Sequence, residues 1–126
     1  MIHGTGIDLC AIGRIEKAIE RPRFLERVYT EAERGRIQAV EGPRRGEIAA
    51  GLFAAKEAAA KALGTGFDGF GFIDIEVMPD ASGRPVCALH KGAHDRAAQL
   101  TGGAYRVHVS ITHESGMAAA VAILEG

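Results

Sequence analysis

The sequence predicts an α+β fold, an antiparallel sheet packed on one long helix, within a single domain spanning residues 1–126. Two observations carry that expectation. Between Ala11 and Gly64 the apolar residues recur mostly at helical spacing, and from Ile73 onward they mostly alternate or cluster between turn residues. Helices therefore come first and hairpins follow.

Each element has its own signal. Ile2 to Leu9 is a short strand in which Gly4 and Gly6 permit close approach by backbone or ligand. Ala11 to Glu20 reads as a helix with two seams. Ile12, Ile15 and Ile19 share one face; Arg14, Lys17 and Arg21 repeat that spacing on nearly the opposite one. Pro22 ends it. Thr30 and Glu33 form a capping box that opens a second helix, fading before Gly42-Pro43. Glu47 to Leu63 is the longest helical pattern, rich in alanine and closed by Gly64. Ile73, Ile75 and Val77 then alternate with Asp74, Glu76 and Met78, as in a half-buried strand. Pro79 to Gly83 supplies a turn, and Pro85 to His90 returns as the hairpin partner. Gly92 to Leu100 is a short helix closed by Gly102-Gly103. Next, Tyr105, Val107, Val109 and Ile111 point one way and Arg106, His108, Ser110 and Thr112 the other. Glu114-Ser115-Gly116 turns the chain into a last strand, Met117 to Leu124.

Composition narrows the function classes. Ile, Leu, Val and Phe make up about a quarter of the chain, above the roughly one-fifth seen in disordered segments. Alanine accounts for 22 residues and there is no tryptophan, so the core is built from small side chains and help from a partner subunit is expected. The longest apolar runs, Ile48–Ala55 and Met117–Leu124, fall short of the ~18 residues of a membrane span. Met1-Ile2-His3-Gly4 has neither a basic nor an apolar leader, so no signal peptide is expected. Cys10 and Cys87 lack a CxxC pairing and read as reduced structural thiols of a cytoplasmic protein.

Several groups could carry chemistry. Asp8 sits near the end of a glycine-flanked strand, ordinarily a turn or cap residue. Phe53, Glu57 and Lys61 fall at i, i+4 and i+8 on one helix face running down to Gly64. An exposed Glu–Lys pair is the plain reading, worth a few tenths of a kcal/mol. With Asp8, however, the face suits magnesium, which takes one or two protein carboxylates and fills its shell with phosphate oxygens and water. The alanines beside Glu57 would leave room for a ligand. Gly64-Thr65-Gly66-Phe67-Asp68-Gly69 matches G-x-G-x-x-G by letter, but it follows a helix, so the dinucleotide reading is rejected.

Other clusters are weaker. His90 and His94 have helical metal-ligand spacing but no third ligand, and read as surface histidines. Ser110, Thr112 and His113 form a polar cluster suited to an anion or to a solvated edge; no nucleophile elbow surrounds the serine. Arg14 to Arg45 holds nine cations but also six glutamates, which argues against a nucleic-acid footprint. Arg14, Arg21, Arg23 and Arg27 around Phe24 read as a protein-docking patch with an aromatic anchor, or as a solvated helix face.

Taken together these pieces resemble the holo-acyl-carrier-protein synthase family of small phosphopantetheinyl transferases. The resemblance rests on Gly4-x-Gly6-Ile7-Asp8, Arg14-Ile15, Arg23-Phe24, Tyr29-Thr30-x-x-Glu33, the run Phe53-Ala54-Ala55-Lys56-Glu57-Ala58-x-x-Lys61-Ala62-x-Gly64-Thr65-Gly66, and Val109 to His113. It covers nearly the whole chain. It implies Mg²⁺-dependent transfer of the 4′-phosphopantetheine arm of coenzyme A to a serine of apo acyl carrier protein, releasing adenosine 3′,5′-bisphosphate. Asp8 and Glu57 would hold the metal, Lys61 would stabilise phosphate charge, and Gly64, Thr65 and Gly66 would contact the cofactor. Glu57, or a water it orients, is the candidate base for the carrier serine.

The resemblance also implies a homotrimer with active sites between subunits, where Ser110, Thr112 and His113 reach the 3′-phosphate or adenosine end from the neighbouring chain. The arginine patch with Phe24 would receive the acidic carrier protein. One departure stands out: Leu52 lies where the family usually has arginine, directly before the Phe-Ala-Ala-Lys-Glu run. Two rivals follow: a non-catalytic coenzyme A or carrier-binding module, and a trimeric scaffold with a basic docking stripe. The carrier would be one from fatty-acid or polyketide synthesis.

Overall fold

The structure, a computed structural model, describes residues 1–126. The chain runs β1 (Ile2–Ala11), α1 (Ile12–Ala18), α2 (Pro22–Val28), α3 (Glu31–Gln38), α4 (Pro43–Ala62), a 3-10 turn (Phe72–Asp74), β2 (Ile75–Pro79), β3 (Pro85–Leu89), α5 (Lys91–Thr101), β4 (Arg106–Glu114) and β5 (Met117–Glu125). β1, β5 and β4 form an antiparallel sheet in that order, and β2–β3 is a separate hairpin. The α+β class and the sheet-on-helix packing are as the sequence predicts.

Four boundaries differ from expectation, each for a local reason. β1 continues to Ala11 because Cys10 and Ala11 pair with Ala118 and Met117, and the Ile12 amide donates to the Gly116 carbonyl at 2.9 Å. Pro22 and Pro43, read as a helix end and as lying outside a helix, each open one. Proline has no amide hydrogen to lose at a first helical position, and its φ is already helical. Helix α2 was thus missed, and α4 starts four residues before Glu47. Ile73, expected in the strand, lies in the 3-10 turn and stays 48% exposed. Asp74 holds that turn by accepting from the Gly71 amide at 3.0 Å.

Small residues set the spacing between α4 and the sheet. A Cβ on Gly4 or Gly6 would come 1.9 Å from the carbonyl oxygen of Ala62 or Ala58, so β1 rests on the helix backbone itself. Ala118, Ala120 and Ala122 of β5 face the same helix and are buried. This corrects the expectation for the alanines beside Glu57. Ala54, Ala55, Ala58 and Ala59 are 0–1% exposed and belong to the core, so they leave no room for a ligand. Ala60 and Ala62 are buried as well.

The capping box is present as expected: Thr30 Oγ1 accepts from the Glu33 amide at 3.3 Å, and Glu33 Oε1 from the Thr30 amide at 2.8 Å. Its glutamate has a second task. Glu33 is fully buried, pairs with the equally buried Lys56, and accepts from the Val77 amide at 2.7 Å. Lys56 also donates to the Val28 and Phe72 carbonyls at 2.7 and 3.1 Å. One ion pair therefore ties α2, α3, α4 and β2 together.

Candidate active site

Asp8 comes to the helix because even-numbered residues of β1 face α4 while Thr5, Ile7 and Leu9 face outward. Phe53, Glu57 and Lys61 share one face of α4, as their spacing predicts. Lys61 Nζ donates to the Ile7 carbonyl at 2.8 Å and to Asp8 Oδ1 at 3.3 Å. Burial raises the Glu57 carboxyl above the ordinary carboxylate value, and the Asp8 charge raises it further; Lys61 and Arg14 pull the other way. Two carboxylates thus repel each other beside a lysine. That donor set fits a hard cation with few protein ligands, which would relieve the repulsion. No group of three His, Cys, Asp or Glu side chains with metal-ligand geometry forms in the chain.

Beyond Lys61 the helix stops at Leu63, and the loop turns through positive φ at Gly64 (81°), Gly66 (62°) and Gly69 (85°). Only glycine adopts these values cheaply. The loop is a helix C-terminal turn rather than a strand-to-helix fingerprint, as read from the sequence.

On the other side, Glu57 opens into a groove of about 1200 Å³ lined by Arg21, Arg23, Phe24, Arg27, Phe53 and Ile73, among others. Arg14 lies 5.8 Å above the Phe53 ring and borders an adjoining hollow with Lys17, Arg21 and Phe24. The whole expected docking patch therefore lies around the groove or next to it. All five phenylalanines form one row: Phe24–Phe53 at 6.1 Å between centroids, Phe53–Phe72 at 5.4 Å, Phe72–Phe67 at 4.0 Å and Phe67–Phe70 at 5.7 Å. Phe72 and Ile73 were missed as groove residues. The one usable signal was Phe53, a helical turn before Glu57.

Ser110, Thr112 and His113 do not come together on one face. Ser110 and Thr112 pair with Val121 and Ala119 and look outward from the sheet. His113 pairs with Ala118 and looks toward the helix side, 3.9 Å from Glu47. Glu47 is ten residues before Glu57 on α4, about 15 Å along the axis. In one chain, then, these residues lie away from Asp8 and Glu57. Leu52 is buried, and the hollow it borders still carries Arg36, Arg44 and His113. His94 bonds the Tyr105 hydroxyl through Nδ1 at 2.7 Å. Both cysteines are free, with Cys10 Sγ 3.5 Å from the Ala50 carbonyl.

A strand carboxylate, a Glu–Lys helix face and a glycine turn lie beside an arginine-rich groove, a charge pattern suited to an anionic ligand and a cation. The chain belongs to the 4′-phosphopantetheinyl transferase superfamily, whose family model matches residues 4–121. More narrowly, it is an enzyme of the holo-acyl-carrier-protein synthase kind. The holo-[acyl-carrier-protein] synthase of Solidesulfovibrio magneticus is 51% identical over 129 residues, covering 100% of both chains. That of Clostridium novyi is 46% identical, covering 99% of this chain and 88% of the relative. Among solved structures, the Bacillus anthracis synthase in complex with CoA (3′,5′-ADP) superposes with a TM-score of 0.84 at 39% identity, covering 100% of this chain and 98% of that one. The Helicobacter pylori synthase in complex with coenzyme A superposes at 0.80 and 31% identity, covering 96% and 99%.

Proposed function

We propose that this protein transfers the 4′-phosphopantetheine arm of coenzyme A to a serine hydroxyl of an apo acyl carrier protein and releases adenosine 3′,5′-bisphosphate. The observation that carries the reading is Glu57, which faces Asp8 and Lys61 on one side and the arginine–phenylalanine groove on the other. The serine oxygen forms a bond to the pyrophosphate phosphorus nearer the pantetheine arm. The bond to the bisphosphate breaks, and that group leaves with the electron pair.

Asp8 and Glu57 would hold Mg²⁺, which when bound neutralises pyrophosphate charge. Lys61, held beside Asp8, would stabilise the charge of the departing phosphate. Glu57, or a water it orients, takes the serine proton. Gly64, Thr65 and Gly66 allow the coenzyme close backbone contact. Arg14, Arg21, Arg23 and Arg27 steer an acidic carrier and Phe24 anchors it.

The outer sheet face supports a shared site. Ile7 (69% exposed), Leu9 (64%) and Val121 (37%) form an uncovered apolar face that also carries Ser110 and Thr112. A homotrimer packed through it would cover that area and bring Ser110 and Thr112 to a neighbour's site, with His113 following at the strand end from the opposite face. Leu9→Glu is expected to convert the trimer to monomer in analytical ultracentrifugation and to remove transfer. A monomeric wild type would end this part of the reading. No helix is long and apolar enough to cross a membrane, and a cytoplasmic location suits a coenzyme A substrate.

The direct test mixes the protein with coenzyme A, Mg²⁺ and several apo carrier proteins and follows intact mass. The carrier is expected to gain the phosphopantetheine arm, and chelator to prevent it. Coenzyme A binding without turnover, indifferent to chelator, would instead favour a binding module.

A further inference from the structure

Helix α5 presses on the loop that follows α4 at two points. At the near end, the Leu63 carbonyl accepts from Arg96 Nε at 3.0 Å, a contact across 33 residues. Arg96 Nη1 donates to Gln99 Oε1 at 3.3 Å, which fixes the plane of the guanidinium. Nη2 lies 3.6 Å from where a Gly64 Cβ would sit. At the far end is Gly92, one helical turn before Arg96 and on the same face. A Cβ there would come within 2.2 Å of the Gly69 carbonyl oxygen and 3.1 Å of Phe70 Cβ. Between the two contacts the chain makes three positive-φ turns at glycine, the residue that loses most freedom on ordering. Such a loop keeps one shape only if something outside holds it.

We propose that α5 is a brace for the Gly64–Gly69 loop, with Arg96 a positioning residue that keeps the loop backbone in the shape that receives the coenzyme phosphates. The inference rests on the reading of that loop as the coenzyme A contact. Arg96 acts through Leu63 and Gly64, and Nη2 adds a donor at the edge of the loop. Without the brace the loop must order itself as the coenzyme binds, and that cost appears as weaker binding rather than slower chemistry.

The test pairs kinetics with amide hydrogen exchange on the full-length protein. Arg96→Met is expected to raise KM for coenzyme A about tenfold. Turnover should stay within about twofold, with KM for the carrier protein unchanged. Gly92→Ala, which pushes α5 off Gly69, is expected to move the same constant in the same direction. Arg96→Lys, which keeps one donor and the charge, is expected to recover part of the loss. Without any ligand, the amides of residues 64–70 are expected to exchange faster in Arg96→Met while those of β1 and β5 do not. Unchanged loop exchange overturns the proposal, as does a parallel rise in both KM values or a fall in turnover alone. Absence of transfer in the wild type would defeat the proposed activity, and the exchange comparison would still decide the brace.

Discussion

Glu57→Gln is expected to lower phosphopantetheine transfer on the order of a thousandfold, equivalent to about 4 kcal/mol of barrier, while leaving the protein folded. The substitution keeps the shape of the side chain and removes its charge. It takes away one of the two carboxylates proposed for Mg²⁺ and the candidate base together. The same change is expected to make the metal-free protein more stable near neutral pH. Burial and Asp8 raise the Glu57 pKa in the folded state. Between the unfolded and folded pKa values the native state therefore binds the extra proton. Its stabilising contribution is complete below the unfolded value, about 4.3, and is lost as pH rises through the folded one. Ionised Glu57 consequently destabilises the wild type above that window, and glutamine does not.

Thermal unfolding at ~pH 7.5 and at ~pH 4 checks the sign: the variant should gain at the higher pH and match the wild type at the lower. Saturating Mg²⁺ with coenzyme A should reverse the order. A ligand at a hundred times its Kd stabilises the wild type by about 2.7 kcal/mol, and the variant should lose most of that. Undiminished transfer by Glu57→Gln would remove both assignments.

Glu33→Ala is expected to cost about 3–5 kcal/mol, a large part of the 5–15 kcal/mol that typically holds a domain folded. The loss is large because Lys56 would stay buried without its counterion and the Val77 amide without its acceptor. Lys56→Met should cost a similar amount, leaving the Val28 and Phe72 carbonyls with one partner fewer. The Glu33→Leu/Lys56→Met pair should cost less than the two single losses combined, since no lone buried charge remains. It should still fall short of the wild type, because two amides and two carbonyls lose their partners. Urea midpoints are the measurement. A single variant within about 1 kcal/mol of the wild type would show that the pair does not hold these elements together.

Legibility in the sequence followed the range of the interaction. The Thr30–Glu33 capping box, the Gly102 helix end and the alternation from Val107 to Thr112 depend on neighbours within four residues, and each appears as read. The Phe53–Glu57–Lys61 face was equally plain, because helix geometry alone puts those residues in line. Lys56 was not legible in the same way. Adjacent to Glu57, it points about 100° around the helix into the core. Nothing local says that a lysine in an exposed-looking motif will meet a glutamate from a capping box 23 residues earlier. Ile73 was misplaced for the converse reason: its alternation with Ile75 and Val77 is real, but Asp74 bends the chain and turns it into the groove.

The sequence by itself determined the class of the fold, the candidate phosphate-handling residues and the family they resemble, because these rest on residue type and short spacing. The tertiary structure decided what each small or charged residue is for. Gly4 and Gly6 serve contact with α4 rather than with a ligand, since the helix carbonyls occupy the space a Cβ would need. The alanines of α4 fill the core. The arginine patch became part of the site only when α2 and the Phe72–Asp74 turn packed around Glu57, a juxtaposition of segments far apart in the chain that no local pattern encodes.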